Sequence, residues 1–300
     1  MSHDHAHSAH GPKSFDQAFA IGISLNMGFV LIEAFYGWQV NSLALLADAG
    51  HNLSDVGGLI LAWAAMAATR LLPTDQHTYG WRRGSILASF INALILLVAM
   101  GSLGWEALQR LQEPVAIAGG TVMLVAGVGV LVNSVTAWLF LSGSHSDLNL
   151  RGAYLHMAAD ALVSVGVVLA GALYLWRDWS WIDPAVSLAI ALVIVIGTWS
   201  LFRQSLHLLF DGVPEQIDLP AVRQYLQELP GVCAVHDLHV WAMSTAEVAL
   251  TAHMVMQPLP GNDQFLQNAA IELREHFGIA HSTLQLEQDA GCQQGCAALK

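Results

Sequence analysis

Asp48-Ala-Gly-His51-Asn-Leu-Ser-Asp55 interrupts an otherwise apolar run covering residues 42–68. Two carboxylates and an imidazole there need a physical reason, because an Asp at a bilayer centre costs roughly 2.5–3.5 kcal/mol on insertion scales. Residues four apart share one face of a helix, so His51 and Asp55 project together. The same spacing recurs at His156-Met-Ala-Ala-Asp160, again inside an apolar run. Two His-x-x-x-Asp pairs on two helices offer two imidazoles and two carboxylates, a set that suits tetrahedral Zn²⁺.

Composition supplies the setting. Of 300 residues, 55 % are hydrophobic and 11 % charged, where soluble proteins run near a quarter charged. Six apolar spans, at about 15–38, 43–72, 84–108, 117–141, 150–176 and 184–209, are each long enough to cross a hydrocarbon core of about 30 Å. The expected fold class is therefore a polytopic α-helical membrane protein of six transmembrane helices in a lipid bilayer. With both termini cytoplasmic, Lys13, Arg70, Arg82, Arg83, Arg151 and Arg203 fall inside and only Arg110 and Arg177 outside, as the positive-inside rule requires. Trp38, Trp105, Trp176, Trp179 and Trp181 then mark the outer interface.

A formal charge of −12 with only 11 Lys and Arg excludes nucleic acid as a partner and fits a handler of cations. Residues 1–14 carry His3, His5, His7 and His10 and lack the pattern of a signal peptide; they read as a disordered tail for loose metal capture. After residue 210 the chain turns polar. A helix at 219–229, strands at 233–243 and 247–256, a helix at 263–277 and a strand at 283–287 give the order α-β-β-α-β. One sheet face is left for a partner, so this domain is expected to dimerise. The expected organisation is a tail at 1–14, a transmembrane domain at 15–210, a cytoplasmic α+β domain at 211–289 and a Cys-containing tail at 290–300. Three cysteines make no disulfide framework, and Cys233 reads as a small buried hydrophobe in a strand.

Other polar residues inside the spans are Asn26, Glu33, Asn92 and Asn133, for which interhelical hydrogen bonds are the expectation. Glu33 is the least comfortable of them and a candidate for lining an ion path. Asp48 either orients the His51 imidazole or bonds across to a neighbouring helix. The motifs of intramembrane enzymes, H-E-x-x-H and G-x-S-x-G, are absent from the sequence, and four protein ligands would close a metal's coordination sphere. The chain is not expected to be an enzyme; the readings that remain are a transporter and, as the alternative, a membrane-bound metal sensor.

Three motifs resemble those of the cation diffusion facilitator family, in its bacterial zinc, cadmium and cobalt efflux branch: Leu46-Ala-Asp-Ala-Gly-His-Asn-Leu-Ser-Asp55, Arg151-Gly-Ala-Tyr-Leu-His-Met-Ala-Ala-Asp160 and His236-Asp-Leu-His-Val-Trp241. The resemblance extends over about residues 15–287. It implies a homodimer in the bacterial inner (plasma) membrane, with a metallochaperone-like cytoplasmic domain, that exports Zn²⁺ in exchange for protons. Cd²⁺ or Co²⁺ are possible alternative substrates. The implied transport site is His51, Asp55, His156 and Asp160, and a His in the first of these positions is associated in the family with preference for Zn²⁺ over Cd²⁺. A second metal set, in the cytoplasmic domain, falls on His236, His253 and Glu287; His239 is out of phase with His236. Cys292 and Cys296 are read as an extension of it, although the spacing is C-x-x-x-C where relatives have C-x-x-C. Asp75 and His77 remain of a third site in the loop between the second and third spans, where Trp81, Arg82 and Arg83 follow Tyr79-Gly80 in place of the family's His.

Overall fold

The structure, a computed structural model, describes residues 13–69, 73–113, 115–141 and 148–288. Six long helices come first: α1 (Lys13–Gln39), α2 (Leu43–Thr69), α3 (Gly84–Gln112), α4 (Gly119–Leu141), α5 (Leu148–Arg177) and α6 (Ile182–Leu209). They match the six apolar spans of the sequence. Among the described residues, segments of four of them, α3 to α6, are long and apolar enough to cross a membrane. Helices α1 and α2 carry the polar Asn26, Glu33, Asp48, His51, Asn52 and Asp55. The chain forms two compact units, residues 1–59 with 92–199, and residues 60–91 with 200–300.

In the first unit Leu45, Val122, Ala126, Val167 and Ile194 are buried in a shared core. Helices α4 and α5 meet backbone to backbone. A Cβ at Gly171 would stand 3.0 Å from the carbonyl oxygen of Gly119 and 3.1 Å from the Met123 nitrogen, so only a small residue permits the approach. The opposite faces carry exposed apolar side chains such as Ile95, Leu124, Leu131, Leu162 and Val193, which suits helices whose solvent is lipid. Helix α2 is held at its start by α6: Asp183 accepts hydrogen bonds from Ser42 Oγ (2.5 Å) and the Leu43 backbone N–H (2.9 Å). That supplies an orphan donor of α2 with an acceptor from another helix.

The second unit holds α7 (Leu219–Glu228), β1 (Val232–Ala242), β2 (Val248–Met256), α8 (Gln264–Glu275) and β3 (Ile279–Glu287). The order α-β-β-α-β is the one read from the sequence. Strands β1 and β2 run antiparallel, and α8 carries the chain across so that β3 lies parallel to β2, giving a three-stranded sheet in the order β1-β2-β3. Val222, Leu226, Leu250, Met254, Leu273 and Ile279 form its core. Two sequence readings need correction. The third strand starts at Ile279, not at 283, because Ile279 pairs with Val248 and is buried. Cys233 is exposed, not buried. It sits where a bulge between Val232 and Ala234 breaks the alternation of an edge strand.

In the same unit, Arg82 reaches Glu247 (2.6 Å), Arg83 pairs with Asp211, and Ser85 Oγ accepts the Thr245 N–H (3.1 Å). A cavity of about 900 Å³, walled largely by Tyr79, Trp81, Leu209, Leu238, Trp241 and Met243, lies beside these contacts.

Candidate metal centres

The helical period places His51 and Asp55 on one turn of α2, and His156 and Asp160 on one turn of α5. The first unit brings the two turns together. His51 Nε2 is 3.5 Å from both Asp55 Oδ2 and Asp160 Oδ1. His156 Nε2 is 3.1 Å from Asp55 Oδ2 and 3.6 Å from Asp160 Oδ2. One ligand atom from each of the four residues falls within 4.8 Å of every other. Ligands about 2.0 Å from a tetrahedral Zn²⁺ are about 3.3 Å apart, and the four separations bracket that edge length. Asp160 is buried, and its Oδ2 has no hydrogen-bond partner; the other three are half-buried. The site thus has a dry side and a side with access.

Asp48 does not pair with His51. Its Oδ2 accepts from Ser164 Oγ on α5 (3.1 Å), and its Oδ1 accepts from Asn52 Nδ2 (3.4 Å). Of the two roles open in the sequence, bonding to a neighbouring helix is the one in place. Asn26 donates to Met157 Sδ (3.3 Å), and Asn92 lies against Gly57 and Gly58. Glu33 and Asn133 are both fully buried, and among the described residues their side-chain oxygens and nitrogen make none of the expected interhelical hydrogen bonds within normal geometry. Sequence periodicity cannot show this, because it reports which face a residue occupies and not what stands opposite.

The second cluster is in the sheet. His236 on β1 is paired in register with His253 on β2, and Glu287 lies at the end of β3. His236 Nε2 is 3.1 Å from Glu287 Oε2, and His253 Nδ1 is 2.9 Å from Glu287 Oε1. One ligand atom from each residue again falls within 4.8 Å of the others. Desolvation acts upward on the Glu287 carboxyl, but hydrogen bonds from Gln285 and His236 and the charges of His236 and His253 outweigh it and hold the group below the usual glutamate range.

Sequence reasoning missed Asp237. A bulge between His236 and His239 turns its backbone to φ 49° and brings its carboxylate to 3.5 Å from His253 Nε2 and 2.9 Å from His239 Nε2. A period-two reading points Asp237 away from His236; only the bulge re-aims it. His239 itself is not in the cluster.

Asp75 and His77 are exposed, with the His77 ring stacked on Trp81 at 4.6 Å; among the described residues they join no group of three ligating side chains. Cys292, Cys296 and the histidines of the tail at 1–12 lie outside the described residues.

A protein with helices this long and apolar is an integral membrane protein, and clustered imidazoles and carboxylates within it place it among those that handle cations. Comparison with known proteins narrows the class. Residues 19–210 match the cation efflux transmembrane domain, and residues 214–289 match the cation efflux protein cytoplasmic domain. The chain belongs to the cation efflux family, also called the cation diffusion facilitators. It is 36 % identical over 293 residues to the zinc transporter ZitB of Escherichia coli, covering 96 % of this chain and 93 % of the relative. It is 34 % identical over 295 residues to a cadmium, cobalt and zinc/H(+)-K(+) antiporter of Bacillus subtilis, covering 97 % and 93 %. A solved metal-bound C-terminal domain of the CzcD transporter from Cupriavidus metallidurans is 33 % identical, covering 24 % of this chain and 99 % of that one, with a TM-score of 0.22.

Proposed function

We propose that this protein exports Zn²⁺ from the cytoplasm in exchange for protons, with Cd²⁺ or Co²⁺ as alternative substrates, at a transport site formed by His51, Asp55, His156 and Asp160. The observation that carries this reading is the set of four imidazole–carboxylate separations, 3.1 to 3.6 Å, which suits a tetrahedral dication. The names of the two relatives, a zinc transporter and a cadmium, cobalt and zinc/H(+)-K(+) antiporter, support the same substrates and counter-ion.

Asp55 and Asp160 supply charge that offsets the hydration a dication gives up. His51 and His156 favour Zn²⁺ over Mg²⁺ and Ca²⁺, which prefer all-oxygen shells. Metal binding requires neutral imidazole and ionised carboxylate, so protons arriving from outside compete for the same atoms and help release the metal. Because the ligands come from two helices, α2 and α5, a rocking of one against the other opens the site alternately to either side.

All six long helices cross the bacterial inner membrane in this reading, within a domain at 15–210, with the termini and the domain at 211–289 in the cytoplasm. The distribution of Lys and Arg and the exposed Trp38, Trp105, Trp176, Trp179 and Trp181 support that orientation. The protein works as a homodimer joined through the cytoplasmic domain. His236, His253 and Glu287 hold a regulatory Zn²⁺ there, which reports cytoplasmic metal to the transporter.

The test is Zn²⁺ flux into proteoliposomes under an imposed pH gradient. Wild-type protein moves zinc in proportion to the gradient, and His51→Ala and Asp160→Ala do not. Full flux in either variant would overturn the site, and absence of flux in wild-type protein that still binds zinc would favour a sensor.

A further inference from the structure

The cavity of about 900 Å³ is used by neither metal cluster. All of its walls belong to the second unit. Gly84, the first residue of α3, and Leu209, the last of α6, are both among them. Each of those helices is long and apolar enough to cross a membrane, so the cavity lies where two spans end. Large rings are left open there instead of entering a core: Tyr79, Trp81 and Phe210 are all more than half exposed. Tyr and Trp at the end of a span suit the headgroup layer of a bilayer, where a ring has apolar and polar surroundings at once.

The walls divide by chemistry. Leu87, Leu238, Val240, Trp241 and Met243 give an apolar lining, whereas Arg82 and Arg83 stand against a single wall carboxylate, Asp211. In a chain of net charge −12 this is a local excess of positive charge. The wall histidines are engaged, His77 on the Trp81 ring and His239 with Asp237. Arg83 pairs with Asp211, and Arg82 with Glu247 and His281, but Arg83 bonds through Nη2 and Arg82 through Nη1. A guanidinium has five N–H donors, so each keeps donors that a phosphate can accept from.

We propose that this cavity binds an anionic phospholipid, with an acyl chain along Leu238, Trp241 and Met243 and the phosphate on the remaining N–H groups of Arg82 and Arg83. Both halves of the wall are then used. A soluble phosphate leaves the apolar lining idle, and an uncharged lipid leaves the arginines idle. The volume is near the top of the range of about 300–1,000 Å³ for ligand pockets, which leaves room for a chain. Basic pockets at the ends of spans are the chemistry that takes acidic headgroups. The inference rests on the membrane placement of α3 and α6 and not on the proposed zinc/proton exchange.

The test uses the full chain, delipidated in detergent and titrated separately with phosphatidylglycerol and phosphatidylcholine, with bound lipid counted by native mass spectrometry. Wild-type protein is expected to hold one phosphatidylglycerol per protomer at least about tenfold more tightly than phosphatidylcholine, and Arg82→Gln to lose that preference. Equal binding of the two lipids by wild type would reduce the contact to general solvation by lipid and overturn the proposal. Displacement by glycerol 3-phosphate as effective as by phosphatidylglycerol would assign the site to a soluble phosphate and overturn it too. A second measurement does not depend on the variant's folding. Phosphatidylglycerol with a photoreactive group on its acyl chain should label wild-type protein within residues 238–243, and labelling confined to the spanning helices would overturn the proposal.

Discussion

His156 Nε2 of α5 stands 3.1 Å from Asp55 Oδ2 of α2, closer than to Asp160 on its own helix at 3.6 Å. The two pairs are therefore interleaved: each imidazole faces the carboxylate of the other helix as well as its own. In the proposed reading a dication there would tie α2 to α5, and its departure would free them. Asp55→Asn keeps the volume but removes the charge that faces His156 and that the proposed site uses for the metal. Zinc affinity, measured by isothermal titration on purified protein, should fall by at least about 100-fold. Proteoliposome flux should fall with it.

Asp183 fastens the start of α2 through Ser42 and Leu43. Asp183→Ala leaves a buried hydroxyl and a helix N-terminal N–H without their acceptor, a cost of about 1–3 kcal/mol. A lower thermal midpoint in detergent is expected, and Ser42→Ala, which removes only one of the two bonds, should lower it less.

Gly166 and Gly171 lie on the same helix but face different surroundings. Nothing stands within 4 Å of a Cβ at Gly166, whereas one at Gly171 meets backbone atoms of α4 at 3.0 and 3.1 Å. Gly166→Ala should be neutral or stabilising by up to about 1 kcal/mol from helix propensity. Gly171→Ala should destabilise by about 1–3 kcal/mol through overpacking. Thermal unfolding of the two variants side by side checks the difference, and equal midpoints would contradict the close approach.

In the sheet, His253→Ala should remove the cytoplasmic metal while zinc flux continues at a reduced rate, as metal counting and transport assays on one preparation would show. The charge on Glu287 has its own pH dependence. Its folded value is depressed, so its contribution to stability is present above the unfolded value of about 4.3 and is lost as pH falls through the folded value. With metal removed by chelation, Glu287→Gln should loosen amide exchange across β1 and β3 near neutral pH, and the difference from wild type should close in acid.

The sequence by itself determined the six long helices, the α-β-β-α-β order and the two His-x-x-x-Asp turns. Each depends on a period along one segment, or on the chain's affinity for lipid against water. Even so, β3 began at Ile279 and not at 283, and Cys233 proved exposed, because pairing partners and bulges decide strand ends and facing. The tertiary structure alone decided what stands opposite each face. It put Asp55 against His156, gave Asp48 to Ser164, re-aimed Asp237 through a bulge and buried Glu33 completely. Such relations join residues tens to more than a hundred positions apart, and no local period encodes them; they exist only once the helices and strands have packed.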